Sequence, residues 1–145
     1  MYGFVREVIA DKGRQVYSVS PHVTVREAVR VMNEHGVGAV LVVEGRKALG
    51  IFTERDVLRR VVDVGRSPET TRVAEVMTRD LLVVQPGTRV QEAMATMTER
   101  RCRHLPVIDG GEIIAMVSIG DLTRRASLNQ EAHIQALTDY ITGRA

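Results

Sequence analysis

The chain repeats itself at an offset of 65 residues, and this limits its fold more than any other feature does. Laying Ser18–Arg60 over Val83–Arg125 needs no gap and gives twelve identities in 43 positions. They include Pro21/Pro86, Glu27/Glu92, Gly45/Gly110, Asp56/Asp121 and both members of the Arg59-Arg60/Arg124-Arg125 pairs. Thr53/Ser118, Val57/Leu122 and Glu44/Asp109 exchange like for like. A chain written twice folds as two like units. Each copy is about 45 residues, too short to bury a good core alone. Two copies packed sheet to sheet about a pseudo-twofold axis would share one.

Each copy spells the same order of elements. A short strand ends near a proline (Val16–Ser20; Leu81–Gln85). A helix follows, opened by Thr24-x-x-Glu27 or Thr88-x-x-Gln91, the pattern of a capping box. Val25, Ala28, Val29 and Met32 recur at helical spacing and give it an apolar face. Then comes a continuous apolar run, "VGAVLVV" or "HLPVI", of the kind a strand buried on both faces carries. A polar turn ("EGRK" or "DGGE") leads to a third strand, "ALGIFT" or "IIAMVS", and to a second helix starting near Glu54 or Ile119. The order is β-α-β-β-α, twice. "FVREVIA" (Phe4–Ala10) predicts a short helix before the repeats, and Leu128–Gly143 an amphipathic one after them, with Leu128, Ile134, Leu137 and Ile141 on one face. The expected division is 1–64 for the first helix and repeat, 65–76 for a polar connector, 77–127 for the second repeat and 128–145 for the last helix.

The motif at the strand-to-helix junction, Thr53-x-x-Asp56 or Ser118-x-x-Asp121, allows two kinds of chemistry. A hydroxyl and an acid three residues apart make a capping box, worth about 1 kcal/mol of helix stability. The same helix start offers free backbone N–H groups and a positive dipole, a natural phosphate seat. There the Thr or Ser hydroxyl can serve a phosphate oxygen. The Asp, repelled by phosphate, suits the cis-diol of a ribose. Both uses can coexist.

Composition removes several other classes. Arginine outnumbers lysine 18 to 2 (Lys12 and Lys47), yet the net charge is only +2 and acidic residues are scattered among the basic ones. That leaves no stripe for duplex DNA, and aromatics are too few for a single-strand stacking platform. Nucleic acid is therefore not an expected partner. No apolar run exceeds the seven residues Val37–Val43, short of a membrane span, and the N-terminal stretch carries charges where a signal peptide needs apolar residues. The single Cys102 excludes an internal disulfide and suits a reducing compartment. A cytoplasmic location is expected. No His/Cys cluster has metal-ligand spacing, no phosphate loop or dinucleotide fingerprint occurs, and no nucleophile is paired with a base. Neither a metal nor catalysis is expected.

The doubled pattern "P..TV.EA…M" with "VLVVEG…ALGIFTERDVLRRV", and "P…VQEAM.TM" with "HLPVIDGGEIIAMVSIGDLTRR", resembles a tandem pair of CBS domains, the Bateman module. The likeness covers nearly the whole chain and is closest to stand-alone bacterial two-CBS proteins. It implies an α/β fold of two β-α-β-β-α repeats with adenosine-containing ligands in the clefts between them: AMP first, with ADP, ATP, NAD(H) and S-adenosylmethionine as alternatives. Carried over residue by residue, it makes Asp56 and Asp121 ribose-binding, and Thr53 and Ser118 phosphate-binding. Arg55, Arg103 and His104 would add charge at the phosphates. Val37, Gly38, Ala39 and Cys102 would line the base, as would Tyr17, Val19, Leu82 and Val84 on the first strands.

The expectation is a non-catalytic sensor that forms a homodimer through helix faces and relays ligand occupancy to an effector protein. The alternative is a ligand-free interaction or dimerisation module whose Asp residues are caps alone. An Arg-driven nucleic-acid binder and an enzyme rank behind both.

Overall fold

The computed structural model describes residues 3–142; along its last helix the side chains of 129, 132, 133, 136, 137 and 140 lie outside the described residues. The two copies build two compact units. Residues 16–81 form the first, and residues 82–142 form the second together with residues 3–15.

In the first unit, α2 (Val25–His35) follows a two-residue strand, β1 (Ser18–Val19), and is capped as its sequence predicts. The Thr24 hydroxyl accepts from Glu27 N–H (3.2 Å), and the Glu27 carboxylate accepts from Thr24 N–H (3.1 Å). Gly36 ends α2 in the left-handed region (φ 63°), where a glycine carries no Cβ penalty. β2 (Ala39–Glu44) pairs in parallel with β1 and antiparallel with β3 (Lys47–Thr53), giving the order β1-β2-β3. β3 runs directly into α3 (Glu54–Asp56), which continues as a π-helical stretch, Val57–Val62. Val25, Val40, Val42 and Phe52 are buried in one apolar cluster with Val61 and Val76.

The second unit repeats this plan with α5 (Val90–Arg100), β4 (His104–Asp109) and β5 (Glu112–Ser118). Both hairpins slip register at equivalent places, between Val42 and Val43 and between Val107 and Ile108. Four expectations need correcting. The predicted strand Leu81–Gln85 reduces to an isolated parallel bridge, Val84 to Val107. The capping box predicted for Thr88 and Gln91 does not form. The N-cap is Arg89, and the Thr88 hydroxyl accepts instead from Gln85 N–H (3.0 Å). The helix predicted from Leu128 is not a separate element, because α6 runs unbroken over Ile119–Thr142; Leu137 and Gly143, parts of that expectation, lie outside the described residues. The segment predicted as a polar connector ends in a short helix, α4 (Val73–Val76).

That short helix shows that the repeat is longer than its ungapped alignment. α1 (Val5–Lys12) packs in the second unit, and α4 packs in the first. Val5 N–H donates to the Thr88 carbonyl (2.9 Å) and Arg6 N–H to that of Pro86 (3.0 Å). Val73 N–H and Ala74 N–H make the equivalent bonds to Val23 (2.9 Å) and Pro21 (3.0 Å). Val5, Glu7 and Val8 thus correspond to Val73, Glu75 and Val76 at an offset of 68 residues. Each helix packs with the repeat that does not directly follow it; α1 is four residues longer than α4, and the spacing from helix to following repeat is three residues longer after α1 than after α4.

Candidate functional site

The hydroxyl–carboxylate motif sits where the third strand becomes the second helix of each copy. In the first unit Thr53 ends β3 opposite Ala39, and Glu54 N–H donates to the Gly38 carbonyl (3.0 Å). The Thr53 hydroxyl oxygen accepts from Asp56 N–H (3.2 Å), and the Asp56 carboxylate accepts from Thr53 N–H (3.0 Å). The capping reading is therefore realised in full. It leaves the Thr53 hydroxyl proton free to turn toward an anion, so capping does not exclude the second use.

Asp56 is 7% exposed. The Thr78 hydroxyl donates to its Oδ1 (3.1 Å), and the Arg60 Nε lies 3.7 Å from the same oxygen. Burial raises the Asp56 carboxyl above its ordinary value and prevails over the opposing hydrogen bonds from Thr53 and Thr78 and the charge of Arg60.

The second unit builds the same junction. His104 pairs opposite Ser118, and Ile119 N–H donates to the Arg103 carbonyl (2.8 Å). The Ser118 hydroxyl accepts from Asp121 N–H (3.1 Å), and Asp121 Oδ2 accepts from Ser118 N–H (2.9 Å). Here the additional partner is a cation. Lys12 Nζ donates to Asp121 Oδ2 (2.8 Å) and to the Met116 carbonyl (2.7 Å). Burial again pushes this carboxyl up, but the Lys12 bond and charge together with the Ser118 bonds outweigh it and leave it below its ordinary value.

The structure thus brings Gly38, Ala39, Thr53 and Asp56 into one junction, and Arg103, His104, Ser118 and Asp121 into the other. Arg55 lies on the first turn of the helix beside Asp56, half-buried. Val37 and Cys102 occupy equivalent places, each N–H donating back to the preceding helix (Met32 and Met97 carbonyls, both 3.0 Å). Tyr17 and Val19 stand farther off, since β2 separates them from Thr53. The Tyr17 carbonyl accepts from Leu41 N–H (3.0 Å), and its ring stacks on His35 with centroids 3.8 Å apart. Val84 is the counterpart of Val19, buried and bonded to the Pro106 carbonyl (3.0 Å), with Leu82 packed beside the same core.

Four participants were invisible to the sequence reading. Thr78 and Lys12 contact the motif carboxylates from 22 and 109 residues away. The other two, Arg60 and Arg125, are the second arginine of each repeated pair. Arg60 donates to the Met77 carbonyl (3.0 Å) past the end of α4, and Arg125 binds Glu7 and Asp11 (3.3 Å) of α1. The second arginine of each pair therefore grips the incoming helix in both copies. The signal that could have revealed this is the gapped match between Val5-x-Glu7-Val8 and Val73-x-Glu75-Val76.

Among the described residues no cluster of three His, Cys, Asp or Glu could hold a metal ion, and no helix is long and apolar enough to cross a membrane. The CBS domain profile matches residues 5–63 and 73–127. The CBS domain-containing protein CBSX3, mitochondrial, of Arabidopsis thaliana is 44% identical over 125 residues, covering 83% of this chain and 61% of the plant protein. The chain therefore spans about three fifths of that relative's length. A CBS-domain protein of Burkholderia ambifaria that has been ascribed to signal transduction superposes with a TM-score of 0.81 at 46% identity, covering 83% of this chain and 91% of that one. The CBS domain pair of protein MJ0100, solved in complex with 5-methylthioadenosine and S-adenosyl-L-methionine, shares the fold (TM-score 0.72, 18% identity, 83% and 93% covered).

Proposed function

The chain belongs to the CBS-domain family, and on that premise we propose that it is a non-catalytic regulatory module whose two hydroxyl–carboxylate junctions each hold an adenosine-containing ligand. The observation that carries this reading is that one junction is built twice from different neighbours. In both copies the hydroxyl keeps a proton to donate and the carboxylate stands one helical turn deeper. Asp56 and Asp121 would accept from the ribose diol. Thr53 and Ser118 would donate to phosphate, with Arg55, Arg103 and His104 adding charge. Gly38, Ala39, Val37 and Cys102 would border the base, with Tyr17, Val19, Leu82 and Val84 beyond. AMP comes first among the ligands, and ADP, ATP, NAD(H) and S-adenosylmethionine share the group recognised. The ligands of the MJ0100 pair are of the same class.

The module would act in the cytoplasm as a homodimer. Ile134 and Ile141, 62% and 79% exposed on α6, supply apolar surface for that. A ligand-dependent change, typically about 1–3 kcal/mol of coupling, would be read by an effector protein.

One observation favours the alternative of a ligand-free interaction module: both motifs already form complete caps, and Thr78 covers Asp56. Calorimetric titration with AMP, ATP, NAD and S-adenosylmethionine separates the two readings, using wild type, Asp56→Asn and Asp121→Asn. Asparagine keeps an acceptor for the cap but turns an N–H toward one diol hydroxyl. With about 1.5–3 kcal/mol per bond to a charged group, each variant should weaken one site by about tenfold to a hundredfold. Binding unchanged in both variants, or no binding at all, would establish the Asp residues as caps alone.

A further inference from the structure

We propose that Lys12 is a specificity-determining latch on the second half-site: its ammonium occupies the carboxylate that a ribose would take, so a ligand reaches Asp121 only by releasing the end of the N-terminal helix. This deepens the ribose reading of Asp121 and rests on it.

The argument begins with lone pairs. Asp121 Oδ2 already accepts from Ser118 N–H (2.9 Å) and from Lys12 Nζ (2.8 Å), which fills both of that oxygen's acceptor directions. A cis-diol bound across both carboxylate oxygens needs one of those directions. The Ser118 bond belongs to the helix cap, so Lys12 is the partner that yields.

The first half-site carries no such lock. The equivalent partner of Asp56 is the Thr78 hydroxyl, a neutral rotor at 3.1 Å, and the nearest cation, Arg60, stands at 3.7 Å. The difference follows from chain length. α4 ends at Val76, so the backbone of Thr78 can pair with Ile51, N–H to carbonyl at 2.8 Å and carbonyl from N–H at 2.9 Å. α1 runs one turn further, and the Lys12 side chain takes the place of that backbone contact by bonding Met116, which corresponds to Ile51 in the repeat. The extra turn of α1 thus replaces a backbone bridge with a detachable charged one.

Lys12 is also the last residue of α1, and only Gly13–Tyr17 separate it from β1 of the other unit. Breaking its two bonds loosens the last turn of α1, just before the chain passes to the next unit. Val5, Val8 and Ile9 stay buried, so α1 itself remains docked.

The test uses adenosine, which carries the diol but no charge, so that Lys12 cannot act through attraction to phosphate. All variants carry Asp56→Asn to restrict binding to the second half-site. Adding Lys12→Met should tighten adenosine binding by about tenfold or more, while Lys12→Arg should not. A second readout needs no change at Lys12. The chain has two lysines, so a lysine-specific protease can cut after Lys12 and Lys47 alone. Adenosine should speed the cut after Lys12 several-fold and leave that after Lys47 unchanged. If adenosine binds and Asp121→Asn abolishes it, yet Lys12→Met has no effect and cleavage does not change, the latch is overturned and the ribose reading stands. If adenosine binds no variant, both are overturned.

Discussion

At the scale of single residues, Asp56 and Asp121 hold equivalent positions and carry opposite electrostatics. Burial holds the folded-state carboxyl of Asp56 above the ordinary 3.8, against the lowering bonds from Thr53 and Thr78 and the charge of Arg60. Asp121 meets an ammonium and lies below the same value. Linkage turns these directions into opposite pH dependences of stability. The contribution of Asp56 is fully present below pH 3.8 and is lost as pH rises through its raised folded value. That of Asp121 is present above pH 3.8 and is lost as pH falls through its lowered one. Urea unfolding at closely spaced pH values, of wild type against Asp56→Asn and Asp121→Asn, should therefore give stability differences of opposite slope. Wild type should lose stability relative to Asp56→Asn on going upward from pH 3.8, and relative to Asp121→Asn on going downward from it. Parallel slopes would mean that Lys12 does not hold Asp121 in solution.

At the scale of elements, the copies diverge where their neighbours differ. A Cβ on Gly50 would lie 2.3 Å from the Thr78 carbonyl oxygen, a backbone atom that cannot swing aside. The close pairing of Thr78 with Ile51 thus requires a glycine, whereas the second copy, with a side chain making that contact, carries Ala115 at the same place. Gly50→Ala should cost about 1–3 kcal/mol in unfolding free energy. Ligand-free thermal unfolding checks it, and a neutral effect would show that Thr78 is not held against β3. The ends of α2 and α5 diverge too. Arg101 takes the left-handed conformation (φ 53°) where the first copy has Gly36, a backbone state that costs a side-chain-bearing residue about 1–2 kcal/mol. After the motif, the first copy winds into a π-helical stretch that leaves Leu58 and Val62 exposed, while α6 continues as a regular α-helix.

At the scale of the molecule, contacts divide the chain differently from its linear order. The N-terminal helix adds Val5, Val8 and Ile9 to the buried cluster of the second repeat, at 0%, 3% and 5% exposure. Burial of each such side chain is worth about 1.5–3 kcal/mol. Deleting residues 1–12 should therefore loosen residues 82–142 and spare residues 16–81, although the deletion abuts the latter in sequence. Amide hydrogen exchange resolved by segment would show it, and lost protection confined to residues 16–81 would contradict the division.

The sequence by itself determined the β-α-β-β-α order, whose opening strand the second copy keeps only as a bridge, the hairpins, the capped start of α2 and the two hydroxyl–carboxylate junctions. Those features depend on residues close in the chain, where periodicity, turn glycines and three-residue spacings act directly. The tertiary structure alone decided which helix packs with which repeat, and which partner each motif carboxylate meets. α1 and α4 correspond only across a three-residue insertion, which the ungapped alignment does not span. Thr78, Lys12, Arg60 and Arg125 act through contacts 17 to 118 residues apart. The charge beside a carboxylate depends on the element that folds back over it. Two identical aspartates can therefore differ in ionisation without any difference in their own motif.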